Sequence, residues 1–278
     1  MAKKLLISLG FIISIFIFVL VPWKTNATAL SDLAASMQPG TFATLSTNGL
    51  IVNPGAGCSA AYPNVRWLTD QLMNQIYPPA GTCDQITSYG MSMVWDNITN
   101  KVFYGGGAHN SYWRVISYDV ASNTWSGVKG EYDPPQLGGH SYDGNTINSI
   151  RRLYIANTND FFKTYHIDNG AWGTLPNIPL AGGSYWTTNT HSVKVFPDRD
   201  ELLVADWFAG VWIYKFSDNT WTQKYSGYNY TAPGVTELIS MGAYNNGSAY
   251  SSKHKFVIFG GGGGENYGTG REVYRYNL

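Results

Sequence analysis

The sequence predicts an all-β fold made of repeated antiparallel units of four strands. Its 31 glycines and 20 tyrosines among 278 residues are typical of a chain with many short strands and many turns. A second observation is a repeat, because Trp125, Trp172 and Trp221 follow one another at intervals of 47 and 49 residues. Units of about fifty residues therefore organise most of the chain.

The first unit shows the repeat most clearly. Residues 91–95 predict an innermost strand, residues 101–107 a second strand that ends in glycines, and residues 114–119 a third strand that ends in Tyr-Asp. A short turn and Trp125 follow, where the fourth strand is expected.

Three further copies keep this order. The second and third copies have Asn157 and Asp206 near the place where the first has glycines, and the fourth stops before any tryptophan. Their second and third strands are predicted at residues 153–157, 164–168, 202–206, 212–216, 255–259 and 272–277.

This pattern resembles the kelch repeat of β-propellers over roughly residues 88–278. Within that group, the run from Gly105 to His109, followed by Tyr118-Asp119 and by residues 123–125, is similar to bacterial exported proteins related to the central domain of galactose oxidase. The resemblance implies a kelch-type β-propeller of four-stranded antiparallel blades. The repeated tryptophans are expected to pack blade against blade.

The number of blades is left open by the sequence. Rings of this type normally have six or seven blades, so four units, the last incomplete, are expected to belong to a larger ring. Residues 41–45 then predict a strand that closes such a ring. A compact ring of four blades closed by the same strand is the alternative.

The N-terminus has the pattern of an export signal. Lys3 and Lys4 precede an apolar run over residues 5–21, and Ala27-Thr28-Ala29 has the small-x-small form of a signal-peptidase site. Residues 1–29 are therefore predicted to be a signal peptide, and the mature chain to be secreted, periplasmic or on the cell surface. An uncleaved signal segment that anchors the chain in the membrane is the alternative.

Residues 30–87 form an N-terminal segment with the predicted closing strand and a disulfide loop. In an oxidising compartment the isolated pair Cys58 and Cys83 is expected to form a disulfide. A helical pattern over residues 64–78 predicts the one helix that we expect in the mature chain.

Charge excludes one class of function. The 18 basic residues equal the 18 acidic ones in number, and no block of lysine or arginine is present to hold a nucleic-acid backbone. We therefore expect no nucleic-acid partner.

Three histidines are predicted at one mouth of the propeller. His109 follows a second strand, whereas His140 and His191 lead into innermost strands, and these loops share one face of an up-and-down blade. His254 is expected at the opposite face, and His166, in a third strand, is expected to point elsewhere.

The three histidines allow three interpretations. They could hold a divalent metal in a three-histidine site, one of them could act as a general base, or they could bind backbone groups at a crowded entrance. No other cofactor is expected. Tyr142 and Tyr185 are further catalytic candidates, and the binding candidates at the same loops are Asn110, Tyr112, Asn157, Asp206 and Trp207.

Two classes of function follow, and the sequence does not decide whether the mouth is catalytic. The first is an exported binding module for a glycan or an extracellular protein surface. The second is a polysaccharide lyase that uses histidine and tyrosine to move a proton, and it needs a cation from Arg114 or Arg152. A copper oxidase like galactose oxidase is disfavoured, because it requires a cysteine and both cysteines are assigned to the disulfide.

Overall fold

A computed structural model describes residues 28–47, 92–106, 114–128, 142–157, 162–179, 192–206, 209–227, 234–235, 241, 244–263 and 272–277. Within these residues the chain has one α-helix, one short 3₁₀ helix and fifteen strands. The helix α1 spans Ala29–Ser36, and the 3₁₀ turn spans Pro197–Arg199. The strands are β1 Val94–Asp96, β2 Lys101–Gly106, β3 Arg114–Asp119, β4 Thr124–Gly127, β5 Asn145–Asn148, β6 Leu153–Asn157, β7 Phe162–His166, β8 Trp172–Thr174, β9 Ser192–Phe196, β10 Glu201–Asp206, β11 Gly210–Lys215, β12 Thr220–Tyr225, β13 Tyr244–Ser251, β14 Phe256–Gly263 and β15 Val273–Asn277.

The strands form four antiparallel sheets arranged as a four-blade β-propeller. Blade 1 contains β1 to β4, blade 2 contains β5 to β8, blade 3 contains β9 to β12, and the described part of blade 4 contains β13 to β15. Strands within a blade pair in chain order, and the innermost strands β1, β5, β9 and β13 contact one another in succession. The predicted all-β propeller fold with antiparallel blades is therefore confirmed.

One backbone feature fixes a common register for the blades. The residue just before each second strand is left-handed, with φ between 53° and 57° at Asn100, Arg152, Asp200 and Lys255. We call it the turn residue, and equivalent positions in the blades are counted from it. Three of these four residues are not asparagine or glycine, so the hairpin geometry overrides the usual preference for those types.

The repeated tryptophans pack, with tilted rings, against a tyrosine of the neighbouring third strand. The ring centroids are 5.1 Å apart for Tyr118 and Trp125, 5.0 Å for Tyr165 and Trp172, and 4.9 Å for Tyr214 and Trp221. The aromatic positions seen in the sequence are thus equivalent in space as well as in spacing.

Each blade has two faces, and each face packs on a different neighbouring blade. We call the face that meets the next blade of the chain the front face, and the face that meets the preceding blade the rear face. At the junction of blades 2 and 3, Ile155 and Phe162 of the front face pack with Leu202 and Trp212 of the rear face. Burying such side chains stabilises the fold by roughly 2 kcal/mol each.

The tryptophan prediction is confirmed at two junctions. Trp221 lies 5.7 Å from Phe162 of blade 2 between ring centroids, and Trp172 packs on the cluster that contains Phe103 and Val115 of blade 1. Trp125 packs with residues of its own blade.

The N-terminal unit, residues 1–45, differs from expectation in its described part. Helix α1 was not predicted; Thr28 caps it by accepting a hydrogen bond from the Ser31 backbone, while the Ser31 hydroxyl accepts one from Thr28. Among the described residues no helix is long and apolar enough to cross a membrane.

The ring-closing strand expected over residues 41–45 stays a prediction. Residues 41–47 form neither helix nor strand in the structure, and Phe42 is fully exposed. The Thr41 amide and hydroxyl both donate to the Gln38 carbonyl, and the Ser46 carbonyl accepts from the Asn123 side-chain amide. The helix predicted over residues 64–78 and the disulfide of Cys58 and Cys83 lie outside the described residues.

Candidate functional site at the mouth

Strand direction divides the propeller into two ends. The innermost strands begin, and the second strands end, at one end, which we call the mouth. The four turn residues lie at the other end, which we call the turn face. The mouth is therefore the end at which the sequence analysis placed its candidate residues.

Three side chains from three different blades converge at the mouth. The carboxylate of Asp143, just before β5, lies 3.2 Å from the Lys194 ammonium of β9, from Nζ to Oδ1. The second oxygen of the same carboxylate accepts a hydrogen bond from the Ser248 hydroxyl of β13. A single carboxylate thus joins blades 2, 3 and 4.

This ion pair is largely removed from water. The side chain of Asp143 is 9% exposed and that of Lys194 is 17% exposed. Burial raises the pKa of Asp143, and the Lys194 charge and the hydrogen bonds from Ser248 and Lys194 offset that rise only in part, so the pKa stays above its usual value. The pair is therefore polar, close to neutral overall, and costly to bury.

A second set of contacts holds blade 1 to blade 2 beside the pair. The Asn145 amide donates to the carbonyl oxygen of Gly105 at 3.0 Å, and Asn145 Oδ1 accepts from the Tyr154 hydroxyl at 2.5 Å. The Ser92 hydroxyl accepts from the Asn145 backbone N–H at 3.2 Å and donates to the Tyr142 carbonyl at 3.4 Å. These bonds fix the segment that carries Asp143.

The backbone at Asp143 is held from both sides. Its carbonyl accepts from the Val193 N–H at 3.2 Å, and the Gly144 carbonyl accepts from the Asn157 N–H at 2.8 Å. The preceding residue, Tyr142, has a φ of +24°, which an aromatic residue rarely adopts. Strained backbone of this kind is concentrated at ligand-binding and catalytic segments.

Two buried oxygens next to this backbone have no hydrogen-bond partner. Ser192 is fully buried and Asn157 is 4% exposed, and neither Ser192 Oγ nor Asn157 Oδ1 finds a partner among the described residues. Buried polar atoms are nearly always paired with protein, water or a bound ligand. The mouth therefore has unused hydrogen-bonding capacity beside Asp143.

The structure places three predicted site residues at the mouth. Asn157 ends β6 and Asp206 ends β10, while Tyr142 precedes β5. Asp206 is 1% exposed, and its Oδ1 accepts from the Ala209 backbone N–H at 2.7 Å. The predicted residues that lie outside the described ranges are His109, His140, His191, Asn110, Tyr112, Tyr185 and Trp207, so their convergence and a metal among them stay predictions.

The remaining charged and histidine candidates lie away from the mouth or have no described side chain. Arg152 lies at the turn face and pairs with Asp96 and Asp168, so it does not supply the cation that the lyase hypothesis needs at the mouth. Arg114 begins β3, but its side chain is outside the described part. His254 lies in an exposed turn before β14 and His166 ends β7, both at the turn face, as expected.

Sequence reasoning missed the three residues that do converge. Asp143 and Ser248 carry no local pattern that marks them. Lys194 does have a signal, because it is the one charged residue in the strand Ser192–Phe196 and lies between two buried valines. A charge inside an innermost strand indicates a partner near the propeller axis.

No protein-family model and no curated protein matches the chain. Solved structures do resemble it in fold. A nidogen/laminin complex shares 10% identity over 66% of this chain and 59% of that chain, with a TM-score of 0.44. TolB from Acinetobacter baumannii shares 12% identity over 68% and 41%, with a TM-score of 0.41. A Bacteroides thetaiotaomicron protein of unknown function shares 13% over 64% and 44%, with a TM-score of 0.46.

The chain thus spans less than two thirds of each of these matched structures. The assignment of the fold rests on the strand pairing and the blade junctions described above.

Proposed function

We propose that the chain is an exported kelch-type propeller that acts as a binding module, with a glycan as its ligand at the mouth. The observation that supports this most is the convergence of Asp143, Lys194 and Ser248 from three blades. A buried ion pair stabilises a fold little or not at all compared with apolar residues of similar size. Its presence at an open end of the propeller therefore favours a role in binding.

The chemistry of this cluster suits neutral hydroxyl groups. The Asp143 carboxylate accepts hydrogen bonds and the Lys194 ammonium donates them. The unpartnered Ser192 hydroxyl can donate or accept a hydrogen bond, and the unpartnered Asn157 carbonyl oxygen can accept one. A sugar ring offers adjacent hydroxyls that donate and accept together. A partner protein surface is the alternative ligand, with the same residues in contact.

The test is glycan binding by the purified chain on an array of neutral and acidic glycans, followed by calorimetric titration of the glycans that bind. Lys194→Met and Asp143→Asn should each weaken binding at least tenfold. Lys215→Met is the matched control, because Lys215 pairs with Asp218 in an exposed turn at the opposite end. Failure to bind any glycan, or equal affinity in all four proteins, would refute the proposal.

The histidines give an independent arm of the same test. His109→Ala, His140→Ala and His191→Ala should weaken binding if these residues line the mouth, whereas His254→Ala, at the turn face, should not. Titration with zinc in the absence of glycan separates a metal-binding role from direct contact with the sugar. Export is tested by sequencing the N-terminus of the protein recovered outside the cytoplasm.

A further inference from the structure

The charge at the mouth is set by one carboxylate and one ammonium group. Lys194 of β9 faces Asp143 at 3.2 Å, and Ser248 of β13 donates to the same carboxylate from its hydroxyl and from its backbone N–H. Burial is the largest influence on the pKa of Asp143 and raises it, whereas Lys194 and Ser248 lower it by less.

Other charged groups toward the mouth do not act on Asp143. They lie on or beside other strands of the described part, and they are Asp206, Glu272, Lys163 and Lys224. At the other described positions beside Asp143, Asn157 of β6 and Ser192 of β9 carry no charge. Within the described residues, Lys194 is therefore the charge that Asp143 balances.

A proton on Asp143 would change the charge of this pair. With Asp143 ionised, the pair is neutral overall, and a second carboxylate brought to Lys194 would be repelled by the first. With Asp143 protonated, the Lys194 ammonium lacks a counter-ion. The Ser248 hydroxyl suits both states, because it can donate to a carboxylate and accept from a carboxyl group.

A second hydrogen-bond donor lies on the same face of β9 as Lys194. Ser192 and Lys194 are two residues apart and pair with Ala205 and Leu203 of β10, so their side chains leave the strand on one side. Ser192 is fully buried, and its hydroxyl has no partner among the described residues. An ammonium group and a hydroxyl on one face are donors that suit an incoming carboxylate.

We propose that the mouth binds the carboxylate of an acidic sugar, a uronate, on Lys194 and Ser192, and that Asp143 takes up one proton as it binds. This inference rests on the proposed function, glycan binding at the mouth, and names a class of glycan for it. A proton from solvent adds to an Asp143 oxygen, and the uronate carboxylate replaces Asp143 as the counter-ion of Lys194. The cluster thus stays neutral overall, and neutral glycans remain ligands of the ionised pair.

The proposal fixes the direction of the pH dependence. Above the pKa of Asp143 the uronate complex holds one proton more than the free chain, so affinity rises about tenfold for each unit that the pH falls. The rise ends near the pKa of Asp143, because below it the free chain is already protonated. A solvent-exposed sugar carboxyl keeps an ordinary pKa, so the ligand loses its charge only at lower pH.

The experiment compares ligands that differ only in this carboxylate. Trimers of galacturonate, glucuronate and mannuronate, and the methyl ester of each, are titrated into the full chain from about pH 7.5 to about pH 5. At least one uronate trimer should bind more tightly by about tenfold per pH unit, and its neutral methyl ester should change by less than about twofold. Uronate binding that does not strengthen as the pH falls overturns the inference.

Variants assign the proton and the cation. Asp143→Asn should bind the uronate at neutral pH as tightly as the parent chain does in acid, with no pH dependence, and Lys194→Met should lose uronate binding at every pH. Lys215→Met is the matched control and should keep the parent profile, because Lys215 pairs with Asp218 at the turn face. His140→Ala and His191→Ala should keep the slope; its loss in either would assign the proton to a histidine and overturn the inference.

Proton uptake is measured on the parent chain alone, so the inference stays testable if a variant does not fold. Calorimetric titration at about pH 7 in two buffers of different ionisation enthalpy should give about one proton taken up per uronate bound, and none for the methyl ester. Binding of neutral glycans without any uronate binding would refute this inference and leave the proposed function standing. Absence of binding to every glycan would refute both.

Discussion

Arg152 of blade 2 holds the carboxylate of Asp96 of blade 1 with both of its terminal nitrogens, at 2.5 Å and 2.9 Å. Asp96 has a fully buried side chain, and Arg152 is 12% exposed and also contacts Asp168. The two residues therefore form a buried, bidentate link between blades at the turn face. Loss of this link is therefore expected to destabilise the fold.

The first prediction is that Arg152→Met lowers the free energy of unfolding by about 3 kcal/mol at pH 7. Removing the guanidinium leaves the Asp96 carboxylate buried without its partner, which is the costly way to break such a pair. Urea unfolding followed by fluorescence measures the change.

The matched control for this prediction is Arg151→Met. Arg151 pairs with Asp200 across the next junction, but the two side chains are 40% and 27% exposed. An ion pair with that exposure contributes at most about 1 kcal/mol, because water screens it. Equal losses in the two variants would show that burial of Asp96 does not decide the effect.

The second prediction concerns acid. Burial raises the pKa of Asp96, but hydrogen bonds from Arg152, from Thr99 and from the backbone N–H groups of Ile98 and Thr99 lower it by a larger amount. The resulting pKa is about 2. Because this pKa is lower in the folded chain than the ordinary value of 3.8, the group stabilises the fold above about pH 4. That contribution, about 2 kcal/mol, is lost as the pH falls from about 4 to about 2.

Asp96→Asn tests this, because an amide cannot titrate. The variant should lose stability less steeply than the parent chain between pH 4 and pH 2 when unfolding by urea is measured at each pH. Parallel profiles for the two proteins would assign the acid sensitivity to other carboxylates.

The third prediction uses two glycines that have similar positive φ angles. Gly210 and Gly234 have φ values of +88° and +83°. A methyl group at Gly210 would overlap the Tyr225 carbonyl and lie 2.7 Å from the Gly227 nitrogen, whereas at Gly234 no atom lies within 4 Å. Gly210→Ala should therefore destabilise the chain by at least about 2 kcal/mol, and Gly234→Ala by about 1 kcal/mol. Similar melting temperatures for the two variants would contradict the steric argument.

The sequence was sufficient to predict the blades because their pattern is local. The strand signals, the Tyr-Asp ends and the tryptophans repeat within about fifty residues, so the second and third strands of each unit, and the fourth strands of the first three units, could be located. The innermost strands were harder to locate, since β5 and β13 contain asparagine and serine where an apolar run was expected. Blade packing supplies the burial that their own sequence does not indicate.

The candidate site could be predicted only in its location. Strand direction was enough to indicate which end holds Tyr142, Asn157 and Asp206. The pairing of Asp143 with Lys194 joins residues 51 positions apart in neighbouring blades. Such a pair depends on how the blades are rotated about the axis, and the repeat alone does not define that rotation.

The last prediction separates the two roles of the repeated tryptophans. Trp221 packs with a tilted ring against Tyr214 in its own blade. It also packs on Phe162 of blade 2, and its Nε1 donates to the Pro176 carbonyl at 2.8 Å. Trp125 keeps only the contacts within its own blade among the described residues.

Trp221→Phe removes the hydrogen bond to Pro176 and part of the contact with Phe162, so it should lower the free energy of unfolding by about 2 kcal/mol. Trp125→Phe keeps most of the ring contact with Tyr118 and should cost under about 1 kcal/mol. Urea unfolding of both variants at neutral pH measures the difference. If the two substitutions cost the same, the tryptophan would stabilise each blade through its tyrosine alone, and the contact between blades 2 and 3 would depend on the aliphatic residues of that junction.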